Sequence, residues 1–390
     1  MNVPKLRFKE FNEELNTFKI KDTGNVITGM TPSTADKENY GTEYLWVSPG
    51  DMGYSKYIAN TKTKLSLKGF NKTRQLPDNS ILVTCIGSTI GKMGMSNSTL
   101  STNQQINSII PTKIFNPNYL YYCINYNFPK FLNKISFQAV PIISKSEFEK
   151  LEIKCTPNLS EQEKIGNMLD LLDKKIELQS KKIEDLKLFK KGLLIKEFNN
   201  KKCSNKLKEC FDFGKAGGTP KSTNKDYYNG YIPFLSISDM TTQGKYIYYT
   251  DKSITEAGLN NSTAWLVPKN SIIISMYASY GLVSINKIDL TTSQAMFNMV
   301  INKNYVVEYI YYYLYYLYIS NFYNSIVSTG TQSNLNAEQI KLLDIYIPCY
   351  NEQKRIYEQF SKIDFKINLE RKKINELLYL KKGLMQNMFV

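Results

Sequence analysis

Two glycine-rich stretches carry the residue types that cradle phosphates elsewhere. GSTIGKMG at 87–94 has paired glycines and a lysine, but a nucleotide-binding loop needs four residues between the glycines and a hydroxyl residue after the lysine. Here three residues intervene and Met93 follows Lys92. FGKAGG at 213–218 precedes Thr219 and Pro220 without a helix-opening pattern behind it. Both read as flexible loops able to touch backbone phosphates. The six cysteines, at 85, 123, 155, 203, 210 and 349, form no CxxC and no paired framework, so reduced thiols in a cytoplasm are expected. There is no histidine. That removes imidazole acid–base chemistry, Ser–His–Asp triads and nearly every zinc site. No metal or cofactor site emerges.

NPNY at 116–119 resembles the Asn-Pro-Pro-Tyr loop with which amino-methyltransferases grip a flipped adenine. Its third residue is Asn118, however, and no glycine-rich adenosylmethionine loop follows a strand nearby. No catalytic residue survives this reading, so the chain must work through surfaces that its elements position. A length of 390 residues suits two or three domains, and 42% hydrophobic residues with a mean hydropathy of −0.36 suit globular ones. The opening MNVPKLRFKEF is charged where a secretion signal is apolar. The stretch 305–323 holds ten aromatics, but its tyrosine hydroxyls and Glu308 point to a buried tyrosine-rich helix rather than a membrane span. It has an echo in YLYYCI at 119–124. The net charge of +15 divides as +7 over 1–156, +1 over 157–198, +3 over 199–347 and +4 over 348–390. An excess spread over both halves suits a polyanion held along an extended surface.

The chain repeats itself. A shift of 191 aligns 157–198 with 348–389 without a gap, with 17 of 42 positions identical, and KKGLLIKEF returns as KKGLMQNMF. Upstream, GMTP at 29–32 recurs as GGTP at 217–220, YLWVSPGDM as IPFLSISDM, and LPDNSILVT as VPKNSIIIS; Gln104 matches Gln294. The unit is a globular part followed by a long helix, stated twice. Each globular part reads as mixed α/β, with short strands such as 80–84 and 271–275 and tyrosine-rich helices near 117–127 and 305–320.

The long segments follow a four-three spacing. The first runs through Ile165, Leu169, Leu172, Ile176, Ile183, Leu186 and Leu193; the second through Ile356, Phe360, Ile363, Ile367, Ile374, Leu377 and Leu384. This is a coiled-coil seam. It breaks at Gln179 and Lys190, and in the second copy at Glu370 and Lys381. An antiparallel pair is expected, with Lys190 against Glu370 and Gln179 against Lys381. Ser160 with Glu163 predicts one amino-terminal cap and Asn351 the other.

These residues resemble the specificity subunits of type I restriction–modification systems. The resemblance rests on the Pro-x-x-x-Glu-Gln-x-x-Ile starts of both helices, the GxTP loops, GSTIG with its counterpart ASYG, and the NQQ and SQA blocks at 103–105 and 293–295. It covers almost the whole chain. It implies an α+β chain with two similar target-recognition domains, 1–157 and 201–347, separated by long helices, 158–200 and 348–390, that form an antiparallel coiled coil with pseudo-twofold symmetry. Each domain would read one half of a bipartite, asymmetric site in double-stranded DNA, the helices setting the unread spacer. The resemblance further implies a non-catalytic cytoplasmic subunit docked to two methylation subunits and to restriction subunits. Adenosylmethionine, ATP and Mg would be bound by those partners, and no membrane is involved.

Where the two halves diverge, base readout is expected. In the first half this selects Lys56, Lys62, Lys64, Lys68, Lys72 and Arg74, joined by Ser88, Thr89 and Lys92 of the GSTIG loop. In the second it selects Gln243, Lys245, Asn260, Asn261, Thr331, Gln332 and Asn334, joined by Lys215, Thr219, Lys221, Ser279 and Tyr280. Asn and Gln suit adenine edges, Arg suits guanine and Lys suits phosphates. The competing readings are a self-contained adenine methyltransferase using NPNY and a coiled-coil adaptor without DNA specificity.

Overall fold

The computed structural model describes residues 3–53, 55–132, 141–203, 205–277, 279–327 and 334–390. Thr331 and Gln332 lie outside the described residues. The chain forms two compact units, Met1–Lys182 with Glu370–Val390, and Ile183–Leu369.

The first unit is built on a five-stranded sheet in the order Gly24–Thr28, Ile106–Pro111, Ile81–Thr84, Met93–Ser96, Tyr57–Ile58. Ile81–Thr84 is buried along its whole length, as an apolar, β-branched run at a sheet centre should be. Asn79, in the left-handed region at φ 60°, turns the chain into that strand. A second five-stranded sheet runs Tyr40–Gly41, Lys64–Leu65, Tyr44–Val47, Leu100–Thr102, Gln75–Leu76. The tyrosine-rich helix Pro117–Leu132 contributes Tyr119, Leu120, Tyr122, Ile124 and Phe128 to the larger core.

The second unit repeats this plan. Its sheet runs Phe211–Ala216, Met296–Ile301, Ile272–Ser275, Val283–Asn286, Tyr246–Ile247, and Asn270 at φ 65° makes the matching turn. Its smaller sheet has three strands, Lys252–Ile254, Tyr228–Leu235 and Thr291–Thr292. The tyrosine-rich helix is Val307–Ile319. Each unit closes with a ribbon that hands the chain to a long helix: Asn16–Lys19 pairs antiparallel with Glu152–Cys155, and Asn205–Lys206 with Asp344–Ile345.

The long helices are Leu159–Phe198 and Tyr350–Met388. Both caps differ from expectation. The Asn158 side chain accepts from the Glu161 N–H, so Asn158 and not Ser160 caps the first helix. The second starts one residue before Asn351, with the Cys349 carbonyl accepting from the Glu352 N–H. Within each unit the helix segments run antiparallel. In the first, Asp173 meets Lys381 at 2.5 Å while Lys182 meets Glu370 at 2.8 Å; in the second, Lys190 meets Asp364 at 2.5 Å and Glu197 meets Arg355 at 3.6 Å.

Of the seam residues, Ile165, Leu169, Ile183, Ile356, Phe360 and Ile367 are buried. Leu172, Ile176, Leu186, Ile363, Ile374 and Leu377 are half-buried. The expected register needs correction. Gln179 bonds to Glu370, the two polar breaks pairing with each other, whereas Lys190 reaches Asp364 and Lys381 reaches Asp173. Each lysine instead meets a carboxylate of the other long helix that also accepts from a tyrosine of the neighbouring tyrosine-rich helix.

Candidate nucleic-acid interface

The surfaces that could read DNA are loops, so what fixes them matters as much as what they carry. In both units a set of buried polar side chains fastens the sheet and the tyrosine-rich helix to the long helices. In the first, Lys56 donates at 2.6 Å both to Asp170 and to Asn118. The Tyr57 hydroxyl donates to Asp170 at 2.9 Å, and the Tyr122 hydroxyl to Asp173 at 2.7 Å. The Lys56 ammonium also lies 4.7 Å from the Tyr122 ring centre. Burial pushes Lys56 below its ordinary pKa, against the pull of Asp170. Tyr122 is raised far by burial and then by Asp173.

In the second unit Lys245 donates to the Tyr312 hydroxyl at 2.8 Å and lies 3.7 Å from Asp364. Tyr312 donates to Asp364 at 2.6 Å. Burial, opposed by Asp364, brings Lys245 down to about 8. The correspondences Asp173 with Asp364 and Lys381 with Lys190 fall at the repeat distance of 191, and Tyr122 with Tyr312 at 190. Lys56 and Lys245 were expected at the nucleic acid; the structure instead places them in these latches. Asp173, Asp364, Tyr122 and Tyr312 escaped selection, although both aspartates sit inside the block that repeats without a gap.

Other repeated residues belong to the same mounting. Gln162 and Gln353, both buried, accept from the Asn116 and Val306 N–H groups at the mouths of the two tyrosine-rich helices, at 2.8 and 3.0 Å. NPNY is therefore a helix start. The Asn116 side chain accepts from the Tyr119 N–H, and Tyr119 is 2% exposed with its hydroxyl bonded to the Thr156 N–H. The phenylalanines that end the repeated phrase also turn inward. Phe198 packs on Tyr309 and Tyr313, and Phe389 on Tyr119 and Tyr126.

The remaining selected residues surround this mounting. Lys68 pairs with Asp36 and Glu38, Lys72 with Asp36, and Arg74 donates to the Thr28 carbonyl at 2.7 Å, beside the loop 29–32. Lys62 is exposed and its N–H donates to Asp51; Lys64 lies on a short strand. Ser88 and Thr89 occupy the GSTIG loop, whose Gly87 and Gly91 have positive φ. Lys92 lines a cavity of about 450 Å³ with Lys56, Tyr121, Asp173 and Lys381. Lys215, Thr219 and Lys221 are exposed around the loop 217–220. Gln243 accepts from the Tyr248 N–H and so folds its own turn. Asn260 and Asn261 end a short helix, and the Asn261 amide donates to the Ala257 carbonyl. Ser279 takes a φ of 58°, Tyr280 donates to Asn324 at 2.8 Å, and Asn334 is half-buried. Among the described residues no group of His, Cys, Asp and Glu could hold a metal, and no helix is long and apolar enough to cross a membrane.

Comparison with known proteins agrees with this duplicated plan. The family profile of the type I restriction modification DNA specificity domain matches twice, over 12–188 and 200–379. The MjaIX type I restriction enzyme specificity subunit of Methanocaldococcus jannaschii is 31% identical over 176 residues, 44% of this chain and 40% of that relative. The MjaVIII specificity subunit of the same organism is 24% identical over 97% of this chain and 94% of its own length. The crystal structure of a type I restriction–modification S subunit from M. genitalium superposes with a TM-score of 0.60 at 17% identity, covering 100% of this chain and 99% of that one, a likeness of fold.

Proposed function

We propose, because this chain belongs to the family of type I restriction modification DNA specificity domains, that it is the sequence-reading subunit of a type I restriction–modification complex. Each unit reads one half of a bipartite, asymmetric DNA site, and the two long helices set the unread spacer. The observation that carries this reading is the repeated mounting: Lys190–Asp364–Tyr312 in one unit and Lys381–Asp173–Tyr122 in the other. A device that positions a loop-bearing domain on a helix, used twice in one chain, suits two recognition modules on one ruler. The net charge of +15 suits a phosphate backbone.

The subunit carries no catalysis of its own. Methylation and restriction subunits bind adenosylmethionine, ATP and Mg, and the assembly works in the cytoplasm. The helices offer those partners two matched apolar surfaces. Leu178, Tyr379 and Leu380 are exposed in the first unit, and their counterparts Leu369, Leu188 and Phe189 in the second. Repeated surfaces of this kind recruit two copies of one partner. Against a self-contained methyltransferase stands Tyr119, which is buried and bonded where a base-gripping ring must be free.

The test is to replace 1–157 with the corresponding domain of another family member and map methylated adenines in cells that supply the partner subunits. One half of the methylated site should change while the other half stays. A change in both halves would refute the modular reading.

A further inference from the structure

The loops 29–32 and 217–220 are held from several sides, with Met30 exposed in the first and Thr219 in the second. The Pro32 carbonyl accepts from the Tyr40 hydroxyl at 3.0 Å, and the Pro220 carbonyl from Tyr228 at 2.6 Å. The chain has only two tryptophans, and both serve these loops. Trp46 donates to the Met30 carbonyl at 3.1 Å and Trp265 to the Ala216 carbonyl at 3.2 Å, from positions that do not correspond in the repeat. Gly29 and Gly217 allow a close approach, since a Cβ there would lie 2.0 Å from the Asn103 carbonyl oxygen and 2.1 Å from the Thr292 hydroxyl.

This rigidity presents one side chain in each unit. The Thr31 hydroxyl donates to the Gln104 amide oxygen, and the Thr219 hydroxyl to that of Gln294. Both glutamines are exposed. Each therefore has its oxygen fixed and its amide hydrogens turned away from the threonine. A cation adjoins each loop. Arg74 is tied to the Thr28 carbonyl at the base of the first loop, while Lys215 and Lys221 flank the second and have no ion-pair partner among the described residues.

Building on the DNA-reading function proposed above, we infer that each loop grips a phosphodiester of the DNA backbone, with Gln104 or Gln294 donating its amide hydrogens to a phosphate oxygen. The reason is the contrast between a constant device and divergent surroundings. Two modules that read different base sequences share the sugar–phosphate backbone as their common target, and backbone contacts fix register without reading sequence. An amide whose oxygen is already engaged offers donors, which a phosphate oxygen accepts. Arg74 in one unit and Lys215 with Lys221 in the other supply the charge that draws the phosphate in.

The test uses the full assembly with its methylation subunits and fluorescence anisotropy on two duplexes: the site found by methylation mapping, and the same site with one half scrambled. Gln104→Ala and Gln294→Ala should each weaken binding to both duplexes by the same factor, roughly five- to tenfold, and leave the methylated sequence unchanged. Gln104→Glu keeps the shape but sets a carboxylate against the phosphate, so it should weaken binding further. Arg74→Ala should lower the salt dependence by about one counterion. Unchanged affinity in the glutamine variants would overturn the inference. So would relaxed sequence choice at the altered half, which would mark a base contact. If the wild-type assembly showed no preference for its own methylated site, the DNA-reading function itself would fall.

Discussion

The two latches use the same parts but place their charges differently. In the first unit both carboxylates, Asp170 and Asp173, come from the long helix, and Lys56 bonds one of them directly. In the second, Ser361 stands where Asp170 would be and bonds the Glu358 carbonyl instead. Its second carboxylate is Glu308, at the position of Asn118, 3.7 Å from Lys287. Each latch thus keeps two carboxylates, but one has moved from the long helix to the tyrosine-rich helix. The consequence is that Asp364 alone serves Lys190, Lys245 and Tyr312. Total charge is under tighter constraint than its address, because an uncompensated buried ion costs several kcal/mol wherever it sits.

The largest test of this difference removes the shared aspartates. Asp364→Ala leaves two lysines, each with a side chain 11% exposed, without their carboxylate. Its unit should lose about 3–5 kcal/mol. Asp173→Ala should cost less, about 1–3 kcal/mol, because Lys56 keeps Asp170 and Lys381 can turn to solvent. Hydrogen exchange resolves the units through strands Ile106–Pro111 and Met296–Ile301. Equal losses would mean that the redistribution of charge has no energetic consequence.

The glutamines probe what the halves share. Gln162→Ala and Gln353→Ala each orphan an N–H at the mouth of a tyrosine-rich helix, together with the carbonyls of Ile114 and Thr156 in one case and of Pro348 in the other. The losses should be similar, at about 1–3 kcal/mol each, with Gln162→Ala the larger for its extra carbonyl. A large inequality, read by the same exchange measurement, would show that the two mounts are equivalent in outline only.

How much of this was legible beforehand depends on what kind of signal each feature leaves. The duplication and the long helices are periodic, and periodicity survives in sequence. The Glu-Gln pair was visible as a repeat, but its purpose was not, since Gln162 and Gln353 cap helices that start more than forty residues earlier in the chain. Lys56 and Lys245 sit among divergent loop residues, and a lysine in such a loop reads as solvent-facing; only the fold reveals the aspartate and tyrosine that bury it. The helix register is hidden in the sequence for a related reason. Matching polar breaks by position considered two helices, whereas Lys190 and Lys381 answer to a third, through Tyr312 and Tyr122.

The smallest expected effect is the most specific to the difference. Lys245 is held at about 8 against an ordinary 10.5, by burial first, with Lys190 and Lys287 adding to the depression and Asp364 and Glu308 opposing it. Tyr246, Tyr311, Tyr312 and Tyr357 line the rest of its surroundings. Between about pH 8 and 10.5 the unfolded chain holds a proton that folded Lys245 has released, so this residue makes stability rise with pH in that window. The rise should be roughly 1 kcal/mol from pH 8 to 9. Lys245→Met should abolish that increment and cost little at pH 7, since the ammonium there is already disfavoured. Lys56→Met should cost more at pH 7, because Asp170 would be left with Lys174 and Tyr57, and Asn118 would lose its ammonium donor. Denaturant unfolding of the wild type and both variants at pH 7, 8 and 9 isolates the effect, as each variant differs from the wild type by one lysine and the other titrating groups are common to the pair compared. A rise from pH 8 to 9 in Lys245→Met as steep as the wild type's, or equal costs at pH 7, would place the weak point of the second latch elsewhere.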